Sequence, residues 1–369
     1  MVEVMLAIPL VRHRSAESAG PIRIWLWAVA GLIFMMVVVG GATRLTESGL
    51  SIVEWRPVTG ALLPLSTADW QSEFEKYQAT PQYQRVNRGM SLDDFKTIYA
   101  WEWTHRLLGR LIGAAFLLPF LFFLGRGAVS VALRGRLWTI FTLGAAQGAI
   151  GWWMVASGLV DRVEVSQYRL AIHMVFACAI FAFTLWTAQW LTPQPPIEVP
   201  PRLKASAIAL VLLVLAQIYF GALLAGLRGG LVYNTWPLIG DQFFPSLSEL
   251  FPSAPAWRNL FENPVTVQFI HRMTAYLLWL GGAFHLVDVL RTHSRGRVVA
   301  GAAMLAGGIT IQACLGILTL LHQAPIGLAL AHQAMAVVVL AVAVLHAERL
   351  RAQPATAPAA ASTALASSP

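Results

Sequence analysis

Eight stretches of this chain stay apolar for about 20 residues, the length that crosses the hydrocarbon core of a bilayer. They run over 24–42, 103–124, 137–159, 168–191, 205–227, 267–290, 298–321 and 326–346. Lipid offers no partner to an exposed peptide group, so segments of this kind must be helices. The expected fold is therefore an all-α polytopic membrane protein with eight transmembrane helices. A charged fraction of only 12% beside 57% hydrophobic residues excludes an ordinary soluble enzyme. The net charge of +8 is spread over short connections and forms no patch for nucleic acid.

Those connections set orientation. Arg126, Arg134 and Arg136 follow the second stretch, Arg202 and Lys204 the fourth, Arg291, Arg295 and Arg297 the sixth, and Arg349 and Arg351 the last. Cationic loops stay inside, so both termini are expected in the cytoplasm, or in the matrix of a mitochondrion. The N-terminal tail, 1–23, has no signal-peptide pattern, and the first stretch reads as a retained helix. The tail after the last helix, 347–369, is rich in Ala, Ser, Thr and Pro and is expected to be disordered. Cys178 and Cys314 both lie in apolar stretches, read as buried core positions, and make no disulfide framework.

The first outer loop, 43–101, is long enough to need a role. Within it 69–77 and 91–100 read as short helices, the second capped by Ser91 with Asp94 in its first turn. They form either a packing lid or a substrate gate.

The chain repeats itself. Gly49-Leu50-Ser51-Ile52-Val53-Glu54-Trp55 follows the first helix, and Gly230-Leu231-Val232-Tyr233-Asn234-Thr235-Trp236 the fifth. His105-Arg106 opens the second helix and His271-Arg272 the sixth. Gln147 and Gly151 in the third helix match Gln312 and Gly316 in the seventh, and His173 in the fourth matches His332 in the eighth. A four-helix unit is thus used twice, as parallel repeats that enter the membrane from the same side. The halves are 24–192 and 205–346, joined by a linker at 193–204.

Each half offers one histidine on its second helix and one on its fourth, all in the outer part of the bilayer. Matched imidazoles on neighbouring helices of a bundle suit a bis-histidine haem. Copper or zinc would want Cys, Met or further His close by. Hydrogen-bonded packing is the plain alternative for each histidine. A second pattern belongs to the second half alone. His285 and His346 lie 14 residues beyond His271 and His332, about 21 Å along a helix. They read either as interfacial histidines at helix ends, the preferred reading, or as ligands of a second stacked haem. Pro119 and Thr187 stand at the matching places in the first half.

From Gly40-Gly41-Ala42-Thr43-Arg44-Leu45-Thr46-Glu47-Ser48-Gly49-Leu50-Ser51 to Glu102-Trp103-Thr104-His105-Arg106, and across residues 24–351, the chain resembles the haem A synthase family. It is similar to the branch that lacks cysteine pairs in the outer loops. The resemblance implies an oxidoreductase that converts the C8 methyl of haem O to a formyl group by successive hydroxylation. It implies haem B held by His271 and His332, substrate haem O held by His105 and His173, and a catalytic carboxylate at Glu102. Glu102 lies on the helix face of His105, where it would stabilise positive charge at C8 or orient water. Arg106 and Arg272 are candidates for haem propionates or for interfacial anchoring. The implied setting is a bacterial inner membrane. Haem O synthase is the implied supplier and terminal oxidase assembly factors are implied partners, with an electron donor still to be identified and a homo-oligomer left open. Two rivals share the histidines: a di-haem b-type cytochrome for quinol-linked electron transfer, and a haem-handling assembly subunit without catalysis.

Overall fold

The computed structural model describes residues 19–57, 59–193, 197–293 and 295–351. Residues 1–18 and 352–369 of the expected tails, and 194–196 of the expected linker, lie outside the described residues. Among the described residues eight long helices follow one another: α1 Ala19–Leu45, α2 Leu92–Gly125, α3 Val131–Ala156, α4 Gln167–Trp190, α5 Pro201–Gly226, α6 Pro264–Thr292, α7 Arg297–Leu321 and α8 Ile326–Arg351. Each corresponds to one of the eight apolar stretches. Seven are apolar and long enough to cross a membrane. The exception is α3, whose 26 residues suffice in length but whose glycines, Gln147, Arg134 and Arg136 dilute its apolarity.

Local chemistry fixes where helices start. The Ser130 side chain caps α3 by accepting from the Leu133 amide. Asn263 caps α6, with Pro264 in the first position, where a missing N–H costs nothing. Ser91 caps as expected, accepting from Asp94 N. The helix it opens is not a separate short one, however. It runs unbroken into the membrane as α2, because no glycine or proline falls between Leu92 and His105 to end it. The other expected short helix is present as Thr67–Gln78.

The packing repeats with the sequence. Helix α1 lies against α2 and α4, and α3 against the same two, which closes a ring of four. Helices α5, α6, α7 and α8 close a second ring in the same order. The rings share a wall in which α4 meets α5 and α8, and α8 meets α1. Leu26, Phe120, Leu137, Leu185, Leu203, Leu305 and Leu340 belong to one apolar core running through both. Large apolar side chains such as Leu118, Phe284 and Met304 also cover the outside, as a surface solvated by lipid requires. Cys178 is buried as expected. Cys314 is not: it is exposed on that same apolar outer surface, where a thiol meets lipid at little cost.

The two halves meet about a pseudo-twofold relation. The chain leaves α1 through Glu47 and α5 through Arg228, both in the left-handed region at φ 56° and 50°. These two matching residues pair with each other, Arg228 Nη2 to Glu47 Oε1 at 2.5 Å. Arg44 likewise donates to the carbonyl of Ala225, its own counterpart. Contact between equivalent positions is the mark of an isologous interface.

Candidate haem-binding sites

The four outer histidines come to equivalent places. In each half the first and third helices supply a glycine, and the second and fourth lay a histidine ring upon it. A Cβ added at Gly40 would come within 3.0 Å of His105, at Gly151 within 3.0 Å of His173, at Gly221 within 3.0 Å of His271, and at Gly316 within 2.8 Å of His332. Any larger residue at these four glycines would push the ring away. The ring order sets α2 across from α4 and α6 across from α8, so the pairing of His105 with His173 and of His271 with His332 follows the repeat.

Three rings are also tethered. Gln147 donates to the His173 carbonyl at 3.0 Å and lies 3.1 Å from its Nδ1. Gln217 does the same for His271, and Gln312 for His332. Each glutamine lies four residues before the supporting glycine, on the same helix face. Gln217 escaped the reading of the sequence. The spacing Gln-x-x-x-Gly, present on α3, α5 and α7, is the signal that would have found it.

Glu102 is buried at 2% exposure. One carboxylate oxygen accepts from the Ser51 hydroxyl and the Ile52 amide, both at 2.8 Å. The other accepts from Arg106 Nε at 3.1 Å and Nη2 at 2.7 Å. Arg106 then reaches the carbonyls of Ile52 and Glu54 at 2.8 and 2.9 Å. The pair thus ties the loop after α1 to α2, and most of the Arg106 donors are engaged within the protein. The second half carries a clamp at the same place, with an amide instead of the acid and the bonds to the loop reversed. Gln268 donates to the carbonyls of Gly229 and Tyr233, and accepts from Arg272 at 3.2 Å. Arg272 also donates to Leu238 and Tyr233 carbonyls, yet its Nε is buried without a partner. No carboxylate among the described residues neutralises it.

Above the first half, Phe74, Tyr77, Phe95 and Tyr99 pack the helix Thr67–Gln78 onto the outer end of α2. A cleft of about 350 Å³ opens between that helix, the chain at 52–56 and 59–65, and α2, lined among others by Glu54, Arg56, Lys76, Arg106 and Arg110. Burial pushes the Glu54 carboxyl up, but Lys76, at 3.1 Å, and Arg56 beside it prevail and hold it below the usual carboxylate range.

His285 and His346 are not wetted at an interface as expected. They are buried at 3% and 2% exposure, and their Nε2 atoms face each other at 2.8 Å. Ser206 Oγ lies 2.7 Å from His285 Nδ1. Each ring is therefore the other's partner at Nε2, while the Nδ1 of His346 is buried without one.

These features fit a haem at the outer pairs. Imidazole is a good axial ligand, four glycines make room beside the rings, and Arg272 is a buried cation short of an anion. Among the described residues no three His, Cys, Asp or Glu side chains converge, so a bare metal ion would find too few ligands.

Fold and sites together define a multi-pass membrane protein of two fused four-helix bundles, each with one histidine pair on glycine supports. Residues 23–344 match the COX15-CtaA model, described as cytochrome oxidase assembly protein. The chain belongs to this family. Curated relatives called heme A synthase include that of Rhodopseudomonas palustris (strain HaA2), 58% identical over 319 residues, covering 86% of this chain and 87% of the relative. The protein of that name from Bradyrhizobium diazoefficiens is 57% identical over 325 residues, 88% of this chain and 90% of its own. That of Bradyrhizobium sp. (strain BTAi1) is 59% identical over 319 residues, 86% and 88%.

Proposed function

We propose that this chain makes haem A from haem O, acting as an oxidoreductase on the C8 methyl. Substrate haem O sits in the first half between His105 and His173, and haem B in the second between His271 and His332. The names of the relatives support the activity. The observation that carries the division of labour is the exchange of Glu102 for Gln268 at equivalent places beside the repeated arginine. Only one half has an acid beside its histidine pair, and that half is the one expected to do chemistry.

Haem B in the second half supplies electron transfer. The rest falls to the chain's own groups. Both oxygens of Glu102 are bound by fixed donors, so it acts as a preorganised negative charge facing the substrate edge rather than as a mobile base. The glycine supports let the rings approach the iron, and Arg272 takes a propionate by a charge-assisted bond. Arg106 serves chiefly to hold Glu102. The outer loop covers the outer end of α2 in the first half. The protein is placed in the bacterial inner membrane with both termini in the cytoplasm, supplied by haem O synthase and working with terminal oxidase assembly factors and an electron donor.

Solvent extraction and chromatography of the haem bound to the purified protein test this reading. An enzyme of this kind yields haem O, its hydroxylated form or haem A beside haem B. An electron-transfer cytochrome or an assembly subunit yields haem B alone.

A further inference from the structure

One outer histidine breaks the pattern of the other three. On α1 the residue four before Gly40 is Met36, where α3, α5 and α7 carry glutamine. A thioether has neither the amide N–H nor the amide oxygen with which a glutamine can hold a ring nitrogen or the histidine carbonyl. Its methyl packs instead toward α2 at Gly109, one turn beyond His105, where an added Cβ would lie 3.2 Å away. Among the described residues the His105 ring makes no hydrogen bond, whereas His173, His271 and His332 each have a glutamine. The ring also presents a different edge. A Cβ on Gly40 would meet Nε2 first, while at Gly151, Gly221 and Gly316 it would meet Cε1. His105 is therefore both untethered and turned differently from its three counterparts.

We propose that His105 is the releasable axial ligand of the substrate haem and that Met36 is the positioning residue that leaves it releasable. This rests on the reading of the first half as the substrate site. Its consequence is that one iron position in the first half opens to a small uncharged diatomic ligand, while the second half stays closed by two tethered rings. One ordinary hydrogen bond corresponds to about a tenfold change in an equilibrium. A single missing tether is therefore enough to distinguish two sites that are otherwise copies. A role for Met36 in packing alone would alter stability without changing which iron is accessible.

Carbon monoxide added to the reduced, full-length protein loaded with haem O and haem B is the probe. The absorbance difference spectrum reads how many haems bind it. In the wild type one haem of the two is expected to respond. Met36→Gln, which installs the missing tether, is expected to weaken carbon monoxide binding about tenfold with the haem content unchanged. Gln217→Met removes a tether and is expected to add a response from the second haem. This gain stands on its own should Met36→Gln fail to fold. Equal response of both haems in the wild type overturns the proposal, as does a haem-loaded Gln217→Met that gains no response. A wild-type protein that retains only haem B, even when haem O is supplied, overturns the substrate-site reading itself and this proposal with it.

Discussion

Glu102 and Gln268 occupy the same place in the two halves, each three residues before a histidine and four before an arginine, and each accepts a hydrogen bond from that arginine. The exchange removes the charge and reverses the bonds to the preceding loop, where Glu102 accepts from Ser51 and Ile52 and Gln268 donates to the Gly229 and Tyr233 carbonyls. Arg106 is neutralised in the first half, and Arg272 remains a buried cation in the second. A buried guanidinium without an acid is costly unless an anion arrives, and a haem propionate is such an anion.

The second half is thus a natural control for Glu102→Gln. Gln268 shows that an amide oxygen can hold the arginine, so the variant is expected to fold and to retain both haems, with the Ile52 amide losing its acceptor. Haem A formation is expected to fall by about a hundredfold, the scale of losing one preorganised electrostatic group. Haem chromatography of membranes expressing the variant checks this. Haem A at the normal rate would remove Glu102 from the chemistry.

The glycine supports predict a graded effect of one methyl group. Gly316→Ala places a Cβ 2.8 Å from the His332 ring, whereas Gly307 has nothing within 4 Å. The first is expected to cost about 1–3 kcal/mol by overpacking and to lower haem B occupancy. Gly307→Ala is expected to leave it intact. The Soret absorbance per protein reads both.

His346→Ala removes one member of the inner pair and leaves the His285 ring without its 2.8 Å partner. A loss of about 1–3 kcal/mol in stability is expected, with the haem count unchanged. Thermal unfolding in detergent reads the first and pyridine haemochrome the second. A lost haem would show that the pair binds one.

The outer loop should respond to acid. Glu54 is held below the usual carboxylate range by Lys76 and Arg56 against the push of burial. A depressed folded-state pKa gives stability that is fully present above the ordinary value of 4.5 and is lost as pH falls through the lowered one. Hydrogen exchange across residues 54–76, corrected for intrinsic rate, is expected to match between pH 7 and pH 5 and to quicken below pH 4. Uniform protection down to pH 3 would contradict it.

The helices, their pairing into halves and the four outer histidines could all be read from the chain, because apolar length and a repeated His-Arg are one-dimensional signals. Three features could not. Helix α2 begins at Leu92 because its capped outer segment joins the membrane segment without a breaker, and a hydropathy pattern shows only the apolar part. Gln268 stands at the spacing of Glu102, but that its bonds to the preceding loop run the other way appears only when both are seen in place. Met36 is an unremarked apolar residue in an apolar helix. Its meaning lies in what His105 lacks, and that appears only when the three glutamine tethers are laid beside it.

That two duplicated histidine pairs hold two different haems is tested most directly by the haem complement of two variants. Purified His105→Ala is expected to keep haem B and to lose haem O and its oxidised products. His271→Ala is expected to lose haem B. Identical haem complements in the two variants, or haem B lost from His105→Ala alone, would contradict the account.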